Sequence, residues 1–315
     1  MSVVTGPIAL TENPADHRPY PPGVAYVDGQ YVEMAHAKIS ILDWGFLRAD
    51  ATYDVVHVWD GRFFRLGDHL DRFYASAEGL RLTVPYGKAE AAAILHNCVA
   101  LSGLRRAYVE MVCTRGLSAS FSRDPRQAEN RFLAFAIPLG SVANEEQMAR
   151  GLRAHISDRV RIPPGSFDPR IKNYQWLDLV CGMFEAYEAE QDVPLLRDLE
   201  GNLTEGPGFN LFIVTDGRLA TPDEGVLEGI TRRTVMEIAQ AEGMAVKERV
   251  VSVEELQAAD EAFVTSTAGG IMPLCQVDGQ AIGRGVPGPV TGRLKDLYWE
   301  RHRDSAWSEA VVYRD

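Results

Sequence analysis

Three side chains of this sequence could together grip one kind of cofactor. Lys172 lies in Asp168-Pro169-Arg170-Ile171-Lys172-Asn173-Tyr174-Gln175-Trp176, Glu205 in Leu203-Thr204-Glu205-Gly206-Pro207-Gly208-Phe209-Asn210, and Arg72 in Asp68-His69-Leu70-Asp71-Arg72. A lysine amine forms a Schiff base with an aldehyde. A carboxylate holds a protonated pyridine nitrogen, and a guanidinium clamps a phosphate. These are the three demands of pyridoxal 5'-phosphate, and no one of the residues carries the reading alone.

Each candidate also has an ordinary reading. A lone lysine is usually a solvated surface residue, but Lys172 is flanked by Ile171, Tyr174 and Trp176, and a buried amine becomes nucleophilic. Glu205 could be an acidic loop tip, yet Gly206-Pro207-Gly208 allows the backbone to approach a flat ligand closely. Asn202-Leu203-Thr204 matches a glycosylation sequon, which means little without a secretory signal. Glu228-Gly229-Ile230-Thr231-Arg232 reads as a helix start whose free amides, with the Thr231 hydroxyl, suit phosphate, and equally as a plain Thr-capped start. Thr265-Ser266-Thr267-Ala268-Gly269-Gly270 is a second possible phosphate cradle, or a turn after a strand. Gly283-Arg284-Gly285-Val286-Pro287-Gly288 matches GxGxxG, but only 27 residues follow it (315 − 288), too few for a βαβ unit. His57 and His69 lack metal-ligand spacing and read as structural; no metal site is expected.

The elements that must position these residues are hairpins and helices. Asp28-Gly29, Asp60-Gly61, Asp216-Gly217 and Asp278-Gly279 each sit between alternating apolar runs and signal type I′ turns, hence antiparallel sheet. Helices are expected over 69–82, with Asp68 as N-cap, and over 88–102, 174–190, 231–242 and 289–302, from apolar residues at helical spacing. A linker over Pro138-Leu139-Gly140-Ser141-Val142-Ala143-Asn144 divides an N-terminal unit, 1–140, from a C-terminal one, 148–315.

The chain has 315 residues, 46% hydrophobic and 24% charged, with a net charge of −12. Such an acidic chain with scattered Lys and Arg argues against nucleic acid or an anionic membrane as partner. The first 20 residues read as neither signal nor transit peptide, and no apolar run is long enough to span a bilayer. Cys98, Cys113, Cys181 and Cys275 form no CxxC pair and read as buried free thiols of a cytoplasmic protein.

These segments resemble the class IV aminotransferases, the fold-type IV pyridoxal-phosphate enzymes. The resemblance is carried, in family order and over nearly the whole chain, by Tyr26-Val27-Asp28-Gly29, Ser40-Ile41-Leu42-Asp43-Trp44-Gly45-Phe46, His69-Leu70-Asp71-Arg72, Ile171 to Trp176, Thr204 to Asn210, Gly229-Ile230-Thr231-Arg232 and Thr265 to Gly270. It implies Lys172 as Schiff-base lysine and proton shuttle, Glu205 on the pyridine nitrogen, and Arg72, the amides of Ile230 and Thr231, and Thr267 on the phosphate. It implies an α+β, two-domain fold like that of D-amino-acid aminotransferase, with hairpin-rich antiparallel sheets, flanking helices and the cofactor between the domains. It also implies a homodimer whose active sites share residues across the interface.

Within the family the chain is most similar to the (R)-selective amine transaminases, in Ser40 to Phe46, Tyr53-Asp54-Val55-Val56-His57-Val58-Trp59 and Lys172 to Trp176, while 69–78 equally resembles D-amino-acid transaminases. The latter trap a substrate carboxylate with an Arg-x-His loop after Thr-Arg-Gly. Here Ser120 and Ser122 stand in that place after Thr114-Arg115-Gly116, Arg123 lies one residue off, and Arg48 stands where several amine transaminases carry a histidine. The implied substrate contacts are Arg48, Tyr53, Val55, Phe121, Arg123, Trp176, Thr267 and Ala268. The expected activity is transfer of an amino group from an (R)-primary amine to an α-keto acid such as pyruvate. A branched-chain or D-amino-acid aminotransferase is the alternative, then an aminodeoxychorismate lyase using the same lysine for elimination, and last a non-enzymatic vitamin-binding protein.

Overall fold

The computed structural model describes residues 20–313, so residues 1–19 of the expected N-terminal unit and residues 314–315 lie outside it. Strands β1 (Val24–Val27), β2 (Gln30–Glu33), β3 (Ala51–Trp59), β4 (Arg62–Phe64), β5 (Ala107–Ser118) and β6 (Ala128–Pro138) come first, with helices α1 (Trp44–Arg48), α2 (Leu66–Gly79) and α3 (Lys88–Ser102) among them. Then follow α4 (Glu145–Arg150), β7 (Leu152–Val160), α5 (Leu177–Glu188), β8 (Val193–Arg197), β9 (Glu205–Gly206), β10 (Phe209–Thr215) and β11 (Arg218–Thr221). The chain continues through α6 (Ile230–Ala241), β12 (Val246–Glu248), α7 (Val253–Gln257), β13 (Glu261–Ser266), β14 (Gly270–Val277), β15 (Gln280–Ala281), α8 (Pro289–Arg301) and β16 (Ser308–Ala310).

All four Asp-Gly pairs turn hairpins with both residues at positive φ, 45–51° for the aspartates and 70–79° for the glycines. The strands assemble into two sheets. The first runs β16-β4-β3-β5-β6-β1-β2 and is antiparallel throughout. The second runs β12-β11-β10-β13-β14-β7-β8, with β15 on β14 and β9 on β10. It is mixed: β11 with β12, β14 with β7 and β7 with β8 are parallel. The antiparallel expectation needs correcting at these three pairs. Helix α5 joins β7 to β8 and α6 joins β11 to β12, and a helical crossover returns the chain in the same direction. The C-terminal β16 pairs with β4, so the chain end joins the first sheet and not the one built by the rest of 148–315.

Two helix starts differ from expectation. Helix α2 begins at Leu66, with Arg65 as N-cap and Asp68 inside the first turn, because Leu66 is itself buried and adds a turn ahead of the apolar stripe. Helix α5 begins only at Leu177. The residues before it are pinned to other elements: the Thr52 hydroxyl donates to the Lys172 carbonyl at 2.6 Å, the Lys172 amide donates to Ser76 Oγ at 3.1 Å, and Asn173 bridges to Thr52. Strand β3 is buried along almost its whole length because its two faces do different work. Val56 and Val58 pack with Leu70, Phe73, Leu95 and Met111 in the core of the first sheet, while Tyr53 and Val55 pack with Val112, Tyr174 and Trp176. Three of the four cysteines are buried and free; Cys181, on α5, is exposed, contrary to expectation. Among the described residues no helix is long and apolar enough to cross a membrane.

Phe73 is fully buried between α2 and the first sheet. Phe73→Ala should cost about 3–5 kcal/mol of stability through lost burial and the cavity left behind, read as a lowered urea midpoint. An unchanged midpoint would contradict this packing.

Candidate active site

A cavity of about 210 Å³ is lined by residues from both sheets. Strand β3 contributes Tyr53 and Val55, α2 Arg72, β5 Tyr108, the segment before α5 Lys172 and Trp176, and β9 Glu205. The start of α6 adds Gly229, Ile230 and Thr231, the end of β13 adds Ser266, and the turn after it adds Thr267 and Ala268. One cavity thus gathers Arg72, Lys172, Glu205, Ile230, Thr231 and Thr267 together with Tyr53, Val55, Trp176 and Ala268. Arg48, Phe121 and Arg123 are not part of its lining. Arg48, at the end of α1, lies 3.7 Å from the Trp44 ring centre, and Phe121 and Arg123 are exposed on the β5–β6 connection. For these three the structure does not give the expected place in the cavity wall.

Lys172 is held through its main chain by Thr52 and Ser76, which leaves the amine to explore the cavity. Its Nζ sits 4.2 Å from the Tyr53 ring centre, and Tyr53 stacks on Tyr174 at 4.6 Å and 6°. The Tyr174 hydroxyl donates to Glu110 Oε1 at 2.6 Å and the Tyr108 hydroxyl to Glu110 Oε2 at 2.9 Å. Burial pushes the Glu110 carboxyl above its ordinary range, against the pull of both phenols and of Lys172.

Glu205 is buried, and its carboxylate collects what few donors reach it. Arg161 Nε donates to Oε1 at 3.1 Å, the Leu227 amide to Oε2 at 2.9 Å, and Asn210 Nδ2 to Oε2 at a long 3.4 Å. Burial still wins and raises its pKa, despite Arg161, the Leu227 amide and Lys172. Arg161 also donates to Asp178 at 2.7 Å.

Arg72 is fixed by a fork onto Asp54, Nε to Oδ2 at 2.7 Å and Nη2 to Oδ1 at 2.9 Å, while Nη1 donates to the Glu228 carbonyl at 3.2 Å. His69 Nδ1 reaches the same carboxylate at 2.8 Å. Burial alone would raise the Asp54 pKa, but Arg72 and His69 outweigh it and hold the group ionised.

The polar groups around Thr231 and Thr265 fit a phosphate ester. Helix α6 has Gly229 as N-cap with no side chain capping it, so Thr231 is not the cap and the first-turn amides of Ile230 and Thr231 remain available. A Cβ on Gly229 would stand 2.1 Å from Asn210 Oδ1, so only glycine lets the chain pass there. Thr265 Oγ1 is a buried hydroxyl without a hydrogen-bond partner, a cost that an acceptor in the cavity would remove. The raised Glu205 carboxyl likewise suits a protonated ring nitrogen. The residues present therefore fit pyridoxal phosphate.

Sequence reasoning did not single out Arg161, Glu110 or Asp54. Arg161 follows Asp158-Arg159-Val160, and nothing local tells which arginine turns inward. Among the described residues no cluster of three or more His, Cys, Asp or Glu could hold a metal ion.

The family profile described as Amino-transferase class IV matches residues 51–277. The chain is 34% identical over 276 residues to a putative branched-chain-amino-acid aminotransferase of Methanocaldococcus jannaschii, covering 87% of this chain and 94% of that one. It is 31% identical over 285 residues to a D-alanine aminotransferase of Listeria monocytogenes, with coverages of 87% and 94%. Among solved structures it resembles a T.th. branched-chain amino acid aminotransferase with pyridoxamine 5'-phosphate, TM-score 0.87 at 29% identity, over 92% of this chain and 99% of that one. It also resembles the branched-chain enzyme of Escherichia coli, TM-score 0.84 at 26% identity, over 92% and 99%. The chain belongs to the class IV aminotransferases. It is a pyridoxal-phosphate-dependent transferase of the α+β, fold-type IV kind.

Two outcomes follow from the geometry. Borohydride reduction of the cofactor-loaded protein and peptide mapping should place the label on Lys172, and a label elsewhere sinks that assignment. Glu205→Gln should retain cofactor but lose roughly one to two decades of turnover, from a lost charge-assisted hydrogen bond of about 1.5–3 kcal/mol. Near-normal turnover would show that Glu205 is not the ring partner.

Proposed function

We propose that this aminotransferase takes its amino group from a primary amine of (R) configuration and passes it to an α-keto acid such as pyruvate. One observation carries the choice of donor: each cation lining the cavity is already engaged. Arg72 is forked onto Asp54, Arg161 bridges Glu205 and Asp178, and Lys172 is the residue assigned to the cofactor. Tyr108, also in the lining, gives its proton to Glu110, as Tyr174 does, so neither phenol is free to donate to a substrate carboxylate. A carboxylate buried here without a counter-charge is costly, whereas an apolar or aryl substituent gains burial against Val55 and Trp176.

In this reading the Lys172 amine would hold the cofactor as a Schiff base. Once free, the same amine is the cavity group that would take and return a proton at the substrate carbon. The bound cofactor supplies an electron sink for the carbanion. Glu205 keeps the ring nitrogen protonated, and Arg161 helps keep Glu205 ionised. Arg72, the amides of Ile230 and Thr231, and Thr267 hold the phosphate.

A keto acid still needs a cation. Arg123 is the candidate, on a connection where Ser120 and Phe121 both take left-handed φ, 55° and 54°, with Arg48 as the other. A second copy of the chain is the source of the missing wall: Ile41, Phe46, Leu47 and Phe121 are all exposed apolar side chains in the segments that carry these arginines. We therefore place the enzyme as a homodimer, and in the cytoplasm on the strength of its free thiols. The competing reading is an α-amino acid donor, which the names of the branched-chain and D-alanine relatives favour.

Single-turnover reduction of the cofactor by an (R)-amine, its (S)-enantiomer, D-alanine and L-leucine decides between them. The (R)-amine should react fastest; a much faster D-alanine or L-leucine replaces this reading with an amino-acid aminotransferase. Arg123→Ala should slow the pyruvate half-reaction more than the amine one. Sedimentation at micromolar concentration should give a dimer, and a competent monomer contradicts the shared site.

A further inference from the structure

His57 and His302 meet in the interior, Nε2 to Nε2 at 2.6 Å. Both rings are buried, 2% exposed each. Each ring presents its other nitrogen to a main-chain carbonyl, His57 Nδ1 to Thr267 and His302 Nδ1 to Tyr298, both at 2.9 Å. A carbonyl only accepts, so both Nδ1 atoms carry protons. Two neutral imidazoles would then oppose bare Nε2 lone pairs at hydrogen-bond distance. One extra proton resolves the contact, as an imidazolium Nε2–H donating to the neutral ring.

Burial works against that charge. It pushes His57 well below its ordinary value and His302 down to about 4. The titratable neighbours divide: Asp60, in the β3–β4 turn, favours a charge on His302, while His69 from α2 disfavours one on His57. The remaining surroundings are aromatic. Phe64 stacks on His302 at 3.8 Å, and Trp299 lies 4.7 Å from it. The pair is thus poised, with geometry asking for a proton that burial alone would refuse.

A phosphate ester bound in the cavity would supply the missing counter-charge. Thr267, whose carbonyl receives His57, lines it within the segment read as a phosphate cradle. Tyr298, on the helix that His302 caps, brings its buried hydroxyl against Thr231, at the other half of the cradle. Helix α8 therefore backs both phosphate-facing elements. We propose that His57 and His302 share one proton when a phosphate ester occupies the cavity, so that cofactor binding takes up a proton from solvent at this pair and fixes Thr267 in place. This rests on the pyridoxal-phosphate reading of the cavity.

The sign follows from linkage. A pair that holds its proton more tightly in the loaded protein makes loading strongest at low pH, and the advantage is lost as pH rises through the loaded pair's titration, by at most about tenfold per pH unit for one proton. The affinity of the full-length apoprotein for pyridoxal 5'-phosphate is measured across the neutral range for wild type and His302→Gln, whose amide can donate to His57 without charge. The wild-type to variant affinity ratio should fall with pH by up to about tenfold per unit, and should stay flat when pyridoxal, which lacks the phosphate, replaces the phosphate ester. In the wild-type holoenzyme, independently of any variant, proton NMR with nitrogen-labelled histidine should find one strongly low-field proton coupled to the ring nitrogens, absent after cofactor removal. A ratio that is flat with the phosphate ester, or a holoenzyme spectrum of two neutral imidazoles, overturns the inference. Failure of wild type to bind pyridoxal phosphate at all sinks the cofactor reading beneath it.

Discussion

The rest of the site depends on one buried charge that its own protein only half satisfies. Glu205 sits out of solvent with Arg161, one backbone amide and a distant Asn210 as donors, and its proton affinity stays raised. Burial of a carboxylate is tolerated where a cation completes it. The fold supplies half of that cation through Arg161 and leaves an open side toward the cavity. A protonated pyridine nitrogen would both complete Glu205 and gain from it.

That arrangement asks for rigidity around it, and the two faces of β3 provide it. Val56 and Val58 anchor the strand in the first core, while Asp54 fixes Arg72 and His69, and Tyr53 and Val55 stand in the cavity. The Thr52 hydroxyl holds the lysine-bearing segment to the same strand. The site is therefore built at the contact of two separately cored sheets, with one strand setting Lys172 and Arg72 at once.

Much of this was legible in the sequence, because hairpin turns and cofactor segments are local patterns. The Asp-Gly turns fix four hairpins, and Lys172, Glu205, Arg72 and Thr231 announce themselves by their neighbours. What stayed hidden is non-local. Arg161 serves Glu205 across 44 residues, Glu110 takes Tyr174 across 64, and His57 reaches His302 across 245. No spacing rule connects such pairs. The parallel pairings of β7, β8 and β14 were hidden likewise, since hairpin signals say nothing of crossovers. The late start of α5 was missed because side-chain periodicity does not register the bridges that hold Lys172 and Asn173 to β3 and α2.

The most direct test of the account is the protonation state of the cofactor ring nitrogen, read by nitrogen NMR on holoenzyme loaded with ring-labelled pyridoxal phosphate. With Glu205 ionised and Arg161 beside it, the nitrogen should be protonated throughout the neutral range, and should lose that proton in Glu205→Gln. A neutral ring nitrogen in the wild-type enzyme at neutral pH would contradict the role given to Glu205 and the site built around it.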